Sequence, residues 1–178
     1  MNMADAWLAR YRAQLEASDL GQWADALCDA ALPSIRLVID GQIDATAAGV
    51  SRLGGSPDLP PDAPWPAEDD GTPLSFIAQL DMRQMAAHDV QGILPRAGLL
   101  SFFYAAASQR AWGFNPADHG AWAVIHIADV AAVRPREAPG EVRAEGRFSA
   151  ARLSPEAELT FLPRESFAIE GGARRHAA

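Results

Sequence analysis

Apolar residues recur at helical spacing only near the start of the chain. Trp7, Leu8, Tyr11 and Leu15 fall at i, i+1, i+4 and i+8, which makes one stripe along a helix. Gly21 interrupts that stripe, and Trp23, Leu27 and Cys28 mark a second short helix that ends before Pro33. Beyond Pro33 the texture changes to short runs of strand length: 35–39, 73–81, 98–106 and 121–130, with 148–153 and 157–162 as two weaker strands. A helical or irregular piece spans 82–92, and turn signals separate the rest. No regular β-α-β alternation is present. The pattern predicts an α+β fold in one domain, residues 1–170, with N-terminal helices (1–32) packed on a largely antiparallel sheet in a β-rich part (33–170). A disordered tail is expected over 171–178.

Composition narrows the class. The chain has 178 residues, enough to bury a core without disulfides or metal. Cys28 is the one cysteine, so no intrachain disulfide can form; its place on the apolar side of the second helix marks it as a buried small hydrophobe. No apolar run approaches the roughly 18 residues of a membrane span, and the charged start lacks the order of a signal peptide. A cytoplasmic protein is expected. Formal net charge is −8, with 23 acidic against 15 basic residues. That balance opposes nucleic-acid binding, which draws on a basic surface, and binding to anionic lipid. Every basic residue is arginine, as the codon bias of a GC-rich bacterial genome would produce.

The sequence carries few residues in patterns that point to chemistry. There is no GxSxG, GxxxxGK[ST], HExxH or CxxC. The histidines (His88, His119, His126 and His176) match no metal-site spacing, so neither metal nor cofactor is expected. The glycine pair Gly54–Gly55 is followed by Ser-Pro-Asp-Leu-Pro-Pro, which cannot open a phosphate-cradling helix. Alternation within the strands gives a subtler clue. Leu74, Phe76, Ala78 and Leu80 are expected on one face, with Gln79 and Asp81 on the other; Ser101 and His126 are the polar positions of the next two strands. A shared face would gather Ser, His and Asp, whereas a half-covered antiparallel sheet simply turns its polar side to solvent. Trp65, held between Pro64 and Pro66, suits either an anchor for the fold or a binding hot spot. Glu68, Asp69, Asp70 and Gly71 read as a turn.

The segment from Ser51 to Tyr104 carries a multi-part pattern: Ser51-Arg52, Gly54-Gly55, Pro57, Leu59-Pro60, Trp65-Pro66, Pro73-Leu74-x-Phe76-x-Ala78-Gln79, Leu94-Pro95, and Gly98-x-Leu100-x-Phe102-Phe103. It is similar to that of the YwqG-like family of bacterial proteins of unknown function. Leu53 stands where that family usually has an aromatic residue. Its C-terminal Gly-[Tyr/Trp]-Pro and Gln-Asp segment has no counterpart here. The resemblance implies a β-rich α+β fold and supplies no reaction. Some relatives neighbour toxin-type genes, which implies an immunity-like, protein-binding role.

The leading expectation is a non-catalytic module that binds a protein partner, a basic one given the acidic balance. Its candidate binding residues are Arg52, Trp65, Gln79, Asp81, Ser101 and His126. The competing expectation is a small hydrolase or small-molecule binder that uses the polar sheet face; a third is an architectural subunit of a homo-oligomer.

Overall fold

The computed structural model describes residues 3–43, 48–112 and 115–161. Its element order is α1 (Met3–Glu16), a 3-10 turn (Gly21–Trp23), α2 (Ala24–Ala30), β1 (Ala31–Ile39), β2 (Arg52–Leu53), β3 (Asp58–Leu59), β4 (Ser75–Asp81), α3 (Met82–Ala86), β5 (Leu99–Tyr104), β6 (Trp122–Ile127), β7 (Arg134–Pro135) and β8 (Ala151–Phe161). A six-stranded sheet runs β1-β8-β2-β4-β5-β6, and β3 with β7 forms a two-stranded ribbon. The pairs β2–β4, β2–β8, β4–β5, β5–β6 and β3–β7 are antiparallel, so the expected α+β class with a largely antiparallel sheet holds.

The described residues fall into two compact units. One draws on residues 3–36, His88–Gly92 and residues 157–161. Here α1 and α2 bury Leu15, Ala24 and Cys28, with Leu8, Tyr11 and Leu27 packed beside them. Of the stripe expected on the first helix, Leu8, Tyr11 and Leu15 pack in this cluster. Trp23, placed by its spacing on the same side as Cys28, is instead 55% exposed, because it lies in the 3-10 turn and not in α2.

The second unit comprises Leu37–Ala87 and Ile93–Glu156 and holds the main core: Leu59, Leu74, Phe76, Leu99, Phe103, Ile127 and Val133, among others. Two short strands, β2 and β3, arise from the proline- and glycine-rich stretch that the sequence reading leaves as a loop. Prolines spread through 57–73 keep the intervening chain extended, and Gly54 and Gly55 turn it with φ of +64° and +73°.

Two further differences concern the strands. The two runs expected at 148–153 and 157–162 meet in one strand, β8, which starts at Ala151 and is described to Phe161, despite Pro155. β2 is two residues long and meets β8 only at Ala151 and Arg152, so Pro155 lies past the end of that ladder, where no β2 residue needs its missing N–H. In β4, a bulge falls between Phe76 and Ala78. Phe76 opposes Phe103 while Gln79 opposes Ser101, and Ser101 and Phe103 share a face of β5. Phe76 and Gln79 therefore share a face too, which strict alternation forbids. The expected grouping of Phe76 with Ala78 and Leu80 is corrected by that single extra residue. The tail expected over 171–178 lies outside the described residues.

Candidate functional site

Register builds a polar row into the buried face of the sheet. Arg52 opposes Gln79, and Gln79 opposes Ser101. Arg52, Gln79 and Ser101 are each at most 1% exposed. Asp58, on β3, reaches the same row and is fully buried.

The Arg52 guanidinium donates from Nη2 to Asp58 Oδ2 over 2.8 Å and from Nη1 to the Ser56 carbonyl over 3.1 Å. The same Asp58 oxygen accepts the Gly49 N–H at 2.8 Å and an N–H of the Gln79 amide. Gln79 completes a clamp on both sides: its Oε1 accepts the Asp58 N–H at 2.9 Å, and its Nε2 donates to the Val50 carbonyl at 2.9 Å. Burial pulls the Arg52 guanidinium below its ordinary pKa, with the charge of Asp58 opposing that fall. Asp58 Oδ1 and Ser101 Oγ have no hydrogen-bond partner among the described residues.

A second knot lies one residue away. Ser51 Oγ accepts the Asp81 N–H at 2.9 Å and donates to Gln84 Oε1 at 2.8 Å. Asp81 Oδ1 accepts the Arg83 N–H at 3.0 Å, capping α3 at its start. Its carboxylate also holds the Arg83 guanidinium.

The glycine pair has a steric reason. A Cβ on Gly54 would lie 2.4 Å from the Ser149 carbonyl oxygen, and one on Gly55 would lie 2.8 Å from the Ala150 Cβ. The chain entering β8 passes there, and the Gly55 N–H donates to the Phe148 carbonyl. Trp65 is an anchor: its Nε1 donates to the Leu74 carbonyl at 2.9 Å, and its ring meets Phe103 edge-on with centroids 5.5 Å apart.

The structure thus brings Arg52, Gln79, Asp81 and Ser101 onto one buried face. His126 is not with them. It opposes Leu100, so it stands on the other face, where it is exposed and its Nε2 meets the Ala97 carbonyl at 3.1 Å. Ser101, His126 and Asp81 do not converge. Asp58 is the functional-row residue that the sequence does not mark, since nothing local in its proline-rich stretch distinguishes a buried carboxylate from an exposed one.

The opposite sheet face carries the rows Ser75–Tyr104–Trp122, Ala78–Phe102–Val124 and Leu80–Leu100–His126. Trp122 is 54% and Val124 47% exposed there. Elsewhere on the same unit, a charged cleft is lined by Glu68, Ser108, Arg110, Glu141 and Arg143. Its Arg110 is held by Glu68, which raises the guanidinium pKa.

Fold and site together define an α+β protein whose signature motif is a buried polar clamp beneath a short β-ribbon. Residues 51–172 match the family described as Domain of unknown function (DUF1963). That match spans more than half of the chain, and the chain belongs to this family. No curated protein matches it.

Proposed function

We propose that this chain is a non-catalytic protein-binding module of YwqG-like type that acts in the bacterial cytoplasm, in an immunity-like role towards a basic protein. One contrast carries the reading. The polar groups of the family signature are turned inward and bonded to one another, while large apolar side chains stand in solvent on the outer sheet face at Trp122 and Val124. Buried groups satisfied within the fold are suited to holding it together. Exposed aromatic and branched side chains on a rigid sheet are suited to desolvation by a partner. The net charge of −8 favours encounter with a basic surface.

The test is affinity capture from the native host, identification of the bound protein, and titration calorimetry with both proteins purified. A stoichiometric complex is expected, weakened by about thirtyfold in Trp122→Ala, the scale of one hot-spot residue. A chain that stays monomeric and captures no partner overturns the reading.

A further inference from the structure

We infer that the free edge of β6 binds an extended, basic-flanked segment of the partner by β-strand addition; this rests on the protein-binding reading above. β6 ends the sheet, with β5 as its one neighbour among the described residues. The direction of its backbone groups follows from one hydrogen bond. The Ala105 N–H donates to the Ala121 carbonyl over 2.9 Å. These two residues continue the register in which Tyr104 faces Trp122 and Leu99 faces Ile127. Bonded and non-bonded pairs alternate along an antiparallel ladder. Ala121, Ala123, Ile125 and Ile127 therefore aim their N–H and C=O groups at β5. Trp122, Val124 and His126 aim theirs outward, at the open edge.

Those three residues also carry their side chains on the exposed sheet face. An added strand would place alternate side chains beside the Trp122 indole and the Val124 methyl groups, so the segment recognised alternates apolar with polar residues. Proteins ordinarily guard an open edge with proline, charge or a bulge. The opposite edge, β1, carries Pro33 and Arg36. β6 reads Trp-Ala-Val-Ile-His-Ile, without proline or a formal charge, and pairs with β5 in unbroken register. One edge is guarded and the other is left receptive.

Charge selects the occupant. Carboxylates bracket β6: Asp118 before it, Asp129 after it, and Asp69 against Gly120, where a Cβ would lie 3.1 Å from Asp69 Oδ1. Arg110, whose charge reaches Asp118, is itself held by Glu68, and no arginine occurs between residues 115 and 133. A segment with Arg or Lys at both ends complements this edge. A second copy does not: two β6 strands paired antiparallel about Val124 bring the Asp118 end of one copy towards the Asp129 end of the other.

The experiment selects peptides with a randomised core of about seven residues from a display library against the full chain, then measures the selected peptides by fluorescence polarisation and amide NMR. The recovered sequences are expected to alternate apolar residues between basic ends and to shift the amides of Trp122, Val124 and His126. Val124→Pro removes one outward N–H and keeps the ladder to β5, so it should weaken binding by about tenfold or more. Val124→Arg keeps the backbone and should repel the basic ends. Three results overturn the proposal: no binders, binders indifferent to both substitutions, or self-association through β6. A host-partner complex that survives both substitutions overturns the edge proposal and leaves the binding-module reading standing. A wild-type chain that captures no host partner overturns that reading instead.

Discussion

Arg52 and Asp58, six residues apart in sequence, face each other across the glycine turn with 2.8 Å between Nη2 and Oδ2, and neither side chain is more than 1% exposed. Removing one member strands the other charge in the interior. Asp58→Ala and Arg52→Met should each destabilise the fold by about 3–5 kcal/mol. The double variant should cost less than the sum by about 1–3 kcal/mol. Urea denaturation of all four species closes that cycle; strict additivity would show that the pair is not coupled.

Two buried serines should respond with opposite signs. Ser51 Oγ joins the Asp81 N–H to Gln84, so Ser51→Ala leaves an amide unpaired and should cost about 1–3 kcal/mol. Ser101 Oγ is buried and makes no hydrogen bond with the described residues. Ser101→Ala should be neutral or stabilising by up to about 1 kcal/mol. Thermal melts of the two variants decide it, and a loss in Ser101→Ala comparable to that in Ser51→Ala refutes the contrast.

Gly54 and Gly71 separate backbone conformation from crowding. Both have positive φ, but a Cβ on Gly71 meets nothing within 4 Å whereas one on Gly54 runs into the Ser149 carbonyl. Gly71→Ala should cost only the left-handed penalty, about 1–2 kcal/mol. Gly54→Ala should add the clash, for a total of about 2–5 kcal/mol. Equal losses in chemical denaturation would mean that the chain at 148–150 yields freely.

The Trp65 indole can be tested as a hydrogen-bond donor apart from its ring. Trp65→Phe keeps an aromatic group against Phe103 and strands the Leu74 carbonyl, a cost of about 1–3 kcal/mol. Hydrogen exchange around Leu74 should accelerate in that variant while the protection of β5 and β6 changes little.

Much of the architecture was legible because the local pattern and the tertiary outcome agree. Leu8, Tyr11 and Leu15 line up on one side of α1 and pack there. The runs around Phe102 and Val124 alternate as strands and pair without interruption. The bulge at Ile77 was not legible, since one extra residue leaves no mark in composition yet inverts every assignment upstream of it. For that reason Gln79 and Asp81 read as lying opposite Phe76, when they share its buried face. Arg52 and Gln79 could be picked out from the signature. Their partner Asp58 could not, because a buried carboxylate in a proline-rich loop has the same local sequence as an exposed one. His126 was misplaced for a different reason: parity within β6 is independent of parity within β5 until the register between them is known.

The position of β8 has a consequence for how the protein is made. It lies between β1 and β2 in the sheet although it is the last strand of the described chain. During synthesis β1 emerges on the order of a hundred residues before the one strand that flanks it, so its pairing waits on the most distant contact in the sheet. The hairpins β4–β5 and β5–β6 need only strands that are neighbours in sequence, whereas among the described residues β1 has no sheet partner until β8 has been made.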